Sequence, residues 1–328
     1  MIGAIRTVLT LVLVLVAAGP ALAAGDIFKI RIGVLKFGTV NWELDVIQNH
    51  GLARDQGIEI EVHPMAGKLA TTVALQGGAV DMIVSDWIWV SRQRAAGADY
   101  TFIPYSATVG ALMVPPDSAV RSLADLRGKR LGIAGGPVDK GWLLLRALAA
   151  KRDGFDLADA VEEVFAAPPL LNEQIKAGRV AGVITFWHYA ARLQAAGYRR
   201  LIGVGEAARA LGIRARVPLL GYVFRAAWAD ANRDRVLAFT RASRAAKRIL
   251  GRSDAEWQRL APLTRAKDPA TLRALREGFR RGIPEAWGAA ERRDAGRLFA
   301  ILSKLGGAKL VGANRELQPG TFWPDLTY

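Results

Sequence analysis

The chain of 328 residues contains no cysteine and carries a formal net charge of +15 at pH 7. The lack of cysteine excludes disulfides, thiolate metal ligands and a cysteine nucleophile, and a hydrophobic content of 51% excludes a disordered chain. So positive a charge can indicate a nucleic-acid or membrane partner. Here, however, the excess arginines are scattered over alanine-rich helical segments between Arg192 and Arg297. We interpret them as a solvated helical surface and expect no nucleic-acid partner.

The first 23 residues are predicted to be an export signal. Arg6 is their only charged residue, an apolar run extends from Val8 to Ala18, and residues 21–23 have the small-x-small form of a signal-peptidase site. A membrane anchor is the alternative, but the run has only about half of the roughly 20 apolar residues that span a bilayer. We therefore expect cleavage near Ala23 and a soluble, periplasmic mature protein.

The first strand is predicted from Ile27 to Phe37, where apolar and polar residues alternate. The turn that follows, Gly38 to Trp42, leads into a helix and leaves backbone N–H groups free at the positive end of that helix. Such a turn can hold a polar ligand group, so Thr39, Asn41 and Trp42 are candidate ligand contacts. Thr39 or Asn41 could also cap the helix.

One segment of the chain occurs twice, at an offset of one hundred residues. Residues 74–97 and 174–197 align without a gap, and each copy has a helix end, a glycine turn, a short buried strand and a tryptophan that opens the next helix. Two such αβα units predict two similar α/β lobes, each with a mostly parallel sheet flanked by helices. Ligands bind at the carboxyl ends of parallel strands. The candidate contacts at these ends are Ser85, Asp86, Trp87, Phe186 and Trp187.

A third glycine-bearing turn lies between the two copies. Residues 125–133, DLRGKRLGI, predict a turn into the strand Arg130 to Ala134, which ends in residues 135–142, GGPVDKGW. The two glycines allow the backbone to approach a ligand, and the amides after them point toward it. The candidate contacts in this turn are Gly135, Pro137, Asp139 and Trp142.

The chain is predicted to cross between the lobes twice. The strand 111–114 is expected to leave the first lobe through Pro115 and Pro116, and the strand 219–224 to return to it, which places hinges near 111–116 and 218–222. Lobe 1 then comprises residues 24–113 and 222–328, and lobe 2 residues 114–221. The helical remainder after Arg225 has no distinctive chemistry and is expected to pack against lobe 1.

Two lobes, two crossings, the DLRGKRLGI turn and the repeated helix-GxV-strand-W unit resemble the periplasmic substrate-binding proteins of ABC importers. Within them, the chain is most similar to the nitrate, sulfonate and taurine group, which includes relatives that bind a thiamine-precursor pyrimidine. The resemblance implies the type II periplasmic-binding-protein fold and a ligand cleft formed by the strand-to-helix turns of both lobes. It also implies capture of a small molecule by hinge closure, delivery to an inner-membrane permease with its ATPase, and a monomeric protein without a cofactor or metal.

The candidate residues leave the charge of the ligand open. Four tryptophans at helix starts would suit a planar or amine-bearing ligand if they line the cleft, or they pack at core edges. Asp86 and Asp139 would repel an anion, or merely cap their helices. Lys68, in contrast, could pair with a sulfonate or carboxylate, or lie solvated on the surface. His63 and His188 are single histidines in each lobe, and structural roles for them are the alternative to acid-base or metal roles.

Two other functions share the expected fold. A pyrimidine-synthase-like enzyme would need the cysteine-rich iron motif of that family, which a chain without cysteine cannot contain, and neither G-x-S-x-G nor H-E-x-x-H occurs. A ligand-sensing domain would be marked by a fused helix-turn-helix or membrane segment. We therefore predict a solute-binding protein that is not an enzyme, whose ligand is a sulfonate, a pyrimidine or another small aromatic or amine compound.

Overall fold

The computed structural model describes residues 27–328, so the predicted signal at 1–23 lies outside the described residues. The ten strands are β1 Phe28–Leu35, β2 Ile58–Met65, β3 Met82–Asp86, β4 Tyr100–Ser106, β5 Gly110–Val114, β6 Arg130–Ala134, β7 Glu162–Ala166, β8 Gly182–Phe186, β9 Arg199–Gly203 and β10 Leu220–Arg225. The helices in this part of the chain are α1 Val40–Asn49, α2 Lys68–Gln76, α3 Trp87–Ala95, α4 Lys140–Asp153, α5 Leu157–Ala160, α6 Pro168–Lys176, α7 Trp187–Ala195, α8 Val204–Ala210, α9 Ala226–Ala231, α10 Arg233–Arg252, α11 Asp254–Thr264, α12 Pro269–Gly282 and α13 Ala289–Val311. The predicted α/β class is confirmed.

The strands form two five-stranded sheets with equivalent orders, β2-β1-β3-β10-β4 and β7-β6-β8-β5-β9. In each sheet the first three strands are parallel, and the fourth is antiparallel to both of its neighbours. That fourth strand arrives from the other half of the chain, because β5 follows β4 directly and β10 follows α8. The two sheets therefore exchange one strand each, which links them by two crossings.

Sheet pairing places the first crossing at residues 107–109, before the position predicted from sequence. We expected residues up to 113 in lobe 1, but β5 pairs with β8 from Gly110 to Met113 and with β9 from Ala111 to Val114. The second crossing, 211–219, ends at β10. The apolar run 111–114 looks the same in sequence whichever sheet it joins, which is why the boundary was placed too late.

The repeated segment folds as predicted. The unit α2-β3-α3 recurs as α6-β8-α7 with each bound shifted by one hundred residues. The glycine turns recur with them, since Gly78 and Gly178 have φ of 73° and 67°, a left-handed conformation that favours glycine. The duplicated sequence therefore specifies a duplicated local structure.

The C-terminal helices pack against helices of both lobes, not only against lobe 1 as expected. α13 contacts α3 and α4, and α12 lies along α7. Gly278 of α12 permits this packing, because a Cβ there would lie 2.8 Å from ring carbons of Trp187. Arg192 of α7 also donates to the carbonyl oxygen of Thr264 at 2.7 Å. Within residues 27–328 no helix is both long and apolar enough to cross a bilayer.

Candidate functional site

Turns that follow the parallel strands of one sheet meet turns that follow those of the other. Lys140 Nζ at the start of α4 lies 2.8 Å from an Asp86 carboxylate oxygen at the end of β3. The rings of Trp42 in α1 and Trp187 in α7 have centroids 5.9 Å apart and an edge-to-face geometry. These two contacts join elements that are more than fifty residues apart in sequence. The carboxyl ends of the two sheets therefore face each other in close contact, where an inter-lobe ligand site is expected.

Asp86 is the central polar residue of this interface. One carboxylate oxygen caps α3 by accepting from the backbone N–H of Trp89 at 2.9 Å, and the other accepts from Lys140. Burial alone would raise the pKa of Asp86, but the charges of Lys140 and Lys68 and the hydrogen bonds bring it below its ordinary value. Asp86 is therefore ionised at neutral pH.

Lys140 is a cation in the first turn of a helix, where the helix dipole disfavours positive charge. Burial lowers the pKa of this lysine, but the charge of Asp86, its hydrogen bond and the charge of Asp139 together outweigh burial and raise the pKa above the ordinary value. The ion pair with Asp86 thus holds the charge in place. Lys140 lies in the predicted turn 135–142 but was not among its candidate contacts, although an unfavourably placed cation at a helix start is a usable signal.

Asp139 caps α4 by accepting from the backbone N–H of Trp142 at 3.0 Å. Burial raises the pKa of this carboxyl despite that hydrogen bond and the neighbouring Lys140 and Lys68. Gly135, with φ of 87°, adjoins the same carboxylate, because a Cβ there would lie 2.9 Å from an Asp139 oxygen. Lys68, Asp86, Asp139 and Lys140 together form a charged cluster between the sheets, which we call the cleft cluster.

The four tryptophans divide into two groups. Trp42 and Trp187 are 5% and 8% exposed and contact each other across the interface. Trp87 and Trp142 are fully buried. The Trp87 ring lies against Phe299 and Phe322 and its indole N–H donates to the carbonyl oxygen of Pro218, while Trp142 belongs to the core of the second sheet. The structure therefore places the side chains of Trp87 and Trp142 in hydrophobic cores.

The turn after β1 is held by its own side chains. Asn41 donates to the carbonyl oxygens of Leu35 and Gly38 at 2.9 and 2.8 Å, which fixes the turn. Thr39 makes no cap to α1, and its hydroxyl lies 3.5 Å from the Tyr105 hydroxyl. Tyr105 was not among the predicted contacts, because it lies within β4 and follows no strand-to-helix signal.

The other predicted contacts lie at the surface of the interface or apart from it. Ser85 and Phe186 are half-buried at the ends of β3 and β8, and Pro137 is exposed in the turn before α4. His188, in the first turn of α7, has its ring edge-to-face with Trp187 and tilted against Tyr189. Burial and the nearby Arg192 lower the pKa of His188 to about 3, so its ring is neutral at neutral pH. His63 lies on the edge strand β2, 3.0 Å from Glu61.

Comparison with known proteins agrees with this geometry. The NMT1/THI5-like family model matches residues 46–250, more than half of the chain. Among solved structures, the alkanesulfonate-binding protein SsuA of Xanthomonas axonopodis pv. citri, bound to MOPS, superposes with a TM-score of 0.67 at 21% identity, over 90% of this chain and 98% of that one. The periplasmic aliphatic sulphonate-binding protein SsuA of Escherichia coli gives 0.67 at 18% identity, over 90% and 99%.

An enzyme shares the architecture as well. The desulfurization enzyme DSZB superposes with a TM-score of 0.60 at 13% identity, over 90% of this chain and 97% of that one. At these identities the likeness is one of fold, which is the two-lobed fold of periplasmic binding proteins. No curated protein sequence matches the chain.

Proposed function

Because the chain belongs to the NMT1/THI5-like family, we propose that it is the solute-binding component of an ABC importer and captures a small organic sulfonate between its two lobes. The observation that carries this proposal is the meeting of the strand-to-helix turns of both sheets at Asp86–Lys140 and Trp42–Trp187. The solved sulfonate-binding proteins of the same fold support the choice of ligand.

The lobes in this proposal are the two sheets with their helices, and they move about the crossings at 107–109 and 211–219. Contacts between Asp86 and Lys140 and between Trp42 and Trp187 join the lobes, so they exist only while the cleft is closed. Opening breaks both contacts and exposes the cleft cluster to water. Ligand binding to one lobe then recruits the turns of the other, which is hinge closure.

The cleft cluster can attract a sulfonate through its two lysines. Lys140 is compensated by Asp86, whereas exposed Lys68 has no carboxylate within ion-pair distance among residues 27–328. A sulfonate can accept hydrogen bonds from the ammonium groups of Lys68 and Lys140.

We favour binding over catalysis. The solved variant of DSZB in complex with biphenyl-2-sulfinic acid carries a serine in place of a cysteine, and the present chain has no cysteine anywhere. The further elements of the proposal are a periplasmic location after removal of residues 1–23, a monomeric state, and an inner-membrane permease with its ATPase as partners.

The proposal is tested by titrating the mature chain, residues 24–328, after unfolding and dialysis to remove bound solute. Tryptophan fluorescence and calorimetry should detect saturable binding of MOPS, ethanesulfonate or taurine, and weaker or no binding of nitrate, a pyrimidine and a matched alkylamine. Lys68→Gln should weaken sulfonate binding about tenfold, as expected for loss of one charge-assisted hydrogen bond. Lys129→Gln, which removes an equal charge at the opposite end of β6, should not.

Two results would contradict the proposal. Absence of sulfonate binding in the refolded, monomeric chain would exclude sulfonates as the ligand class. Sulfite release from biphenyl-2-sulfinic acid would instead indicate an enzyme of the desulfinase type.

A further inference from the structure

A concave site lies at the two crossings and shares no lining residue with the cleft cluster. Its volume is about 630 Å³, within the range of roughly 300 to 1,000 Å³ that is usual for small-molecule sites. Its walls come from the first crossing at Thr108, the second crossing at Val217, the first turn of α8 and the end of α12. We call this site the hinge groove.

Positive charge dominates the hinge groove. Two lining glutamates face five lining arginines, which are Arg200, Arg209, Arg216, Arg280 and Arg281.

The two glutamates do not neutralise the groove. Glu206 pairs with Arg200 at 2.7 Å and Glu285 with Arg216 at 3.0 Å, so each carboxylate is already used by one arginine. Within the described residues 27–328, neither Arg209 nor Arg281 has a carboxylate within 4.0 Å. Two guanidinium groups therefore remain available to a bound anion.

The wall between the charges is apolar. Leu144 of α4, Val204 of α8 and Leu298 of α13 line the groove beside the arginines. A guanidinium group binds carboxylate or phosphate through two parallel hydrogen bonds, whereas an apolar wall favours a hydrocarbon or aromatic body. We propose that the hinge groove is a second binding site, specific for a small organic anion with an apolar body and at least two negative groups.

The hinge groove lies between parts of the two lobes, so a ligand bound there should affect hinge closure. Arg200 and Val204 belong to the second sheet and its helices, and Arg281 belongs to α12, which packs on the first lobe and on α7. A molecule held by both sides binds the open and closed arrangements with different free energies. Its occupancy is thus coupled to hinge closure, and ligand in the cleft must change its affinity by the same factor.

Benzene-1,3,5-tricarboxylate is a suitable probe, because it combines an apolar ring with three carboxylates. Calorimetry of the mature chain at low ionic strength should show one site that weakens with added salt, while benzoate should bind far less tightly. The double substitution Arg209→Gln with Arg281→Gln should weaken tricarboxylate binding at least about tenfold. Arg273→Gln with Arg315→Gln removes the same charge at exposed arginines outside the groove and should change binding less than about twofold.

An equal loss of tricarboxylate affinity in the two double variants would contradict a site in the hinge groove, because binding would then depend only on the net charge of the protein. Loss of tricarboxylate binding in Lys68→Gln would also overturn it, since the probe would be in the cleft. The coupling is tested by titrating MOPS with and without saturating tricarboxylate, and an unchanged MOPS affinity would refute it. Failure of MOPS to bind at all concerns only the proposed transport function, because tricarboxylate binding and its variants are measured without a cleft ligand.

Discussion

The ion pair between Asp86 and Lys140 offers the sharpest test of lobe closure. Asp86→Asn retains an oxygen that can cap α3 through the Trp89 N–H, but it leaves the Lys140 ammonium without its partner. The two side chains are only 6% and 19% exposed. Breaking so buried a pair costs about 3 kcal/mol or more when one charge is left behind. Opening of the lobes allows water to solvate the unpaired Lys140 ammonium. We therefore expect the ratio of closed to open molecules to fall about a hundredfold.

Small-angle X-ray scattering of the unliganded mature chain measures this shift, as a larger radius of gyration in Asp86→Asn than in the wild type. Acrylamide quenching should rise at the same time, because opening exposes Trp187, which is 8% exposed when closed. Trp42 contacts Trp187 across the interface and is exposed by the same opening, so repeating the quenching in a Trp42→Phe, Trp187→Phe background should abolish the difference. Arg130→Gln breaks the exposed pair with Glu162, which is worth at most about 1 kcal/mol, and should not open the lobes.

Adding Lys140→Met to Asp86→Asn removes the stranded charge and should return the radius of gyration toward the wild-type value. An unchanged radius and unchanged quenching in Asp86→Asn would refute the reasoning, since the ion pair would then not hold the lobes together.

Three further predictions concern stability. Gly278→Ala should lower the free energy of unfolding by about 1 to 3 kcal/mol in denaturant titrations, because the new Cβ would lie 2.8 Å from the Trp187 ring; an unchanged midpoint would contradict this packing. His188, with its pKa lowered to about 3 from 6.5, should make the wild type lose stability as the pH falls from 6.5 toward 3, since only the unfolded chain binds the proton, by at most about 1.4 kcal/mol per pH unit. His188→Gln should make the free energy of unfolding depend less on pH, and an equal slope in both proteins would show that His188 is not its cause. Glu43→Gln should destabilise the fold by about 3 to 5 kcal/mol in urea, because Lys247, buried beside Glu43, loses its partner; Glu43→Gln together with Lys247→Met should recover much of the loss.

Local sequence determined the repeated unit and most element positions. The glycines at 78 and 178, the short apolar runs after them and the tryptophans at 87 and 187 specify α2-β3-α3 and α6-β8-α7 without reference to the rest of the chain. The Asp268 cap before Pro269 likewise starts α12 locally, because its carboxylate accepts from the Thr271 N–H. These features depend on backbone conformation and on contacts a few residues apart, which a sequence pattern records directly.

The candidate site was predicted only in outline. The strand-to-helix turns identified where the lobes meet, and Asp86, Asp139, Lys68 and Trp187 are indeed brought together there. The burial of Trp87 and Trp142 and the pairing of Lys140 could not be read from the same pattern. A first-turn side chain can point to the sheet or to the cleft, and the choice depends on packing partners such as Phe299, which is more than two hundred residues away.

Only the tertiary structure decided how the two halves are joined. The exchange of β5 and β10 between the sheets moved the first crossing to 107–109, and α12 was brought onto α7 through the close approach at Gly278. The grouping of arginines from α8, α12 and the second crossing into one groove is also a property of the folded chain. Hydrophobic runs and scattered charges carry no information on which distant surface they will meet, because that depends on the free energy of long-range packing.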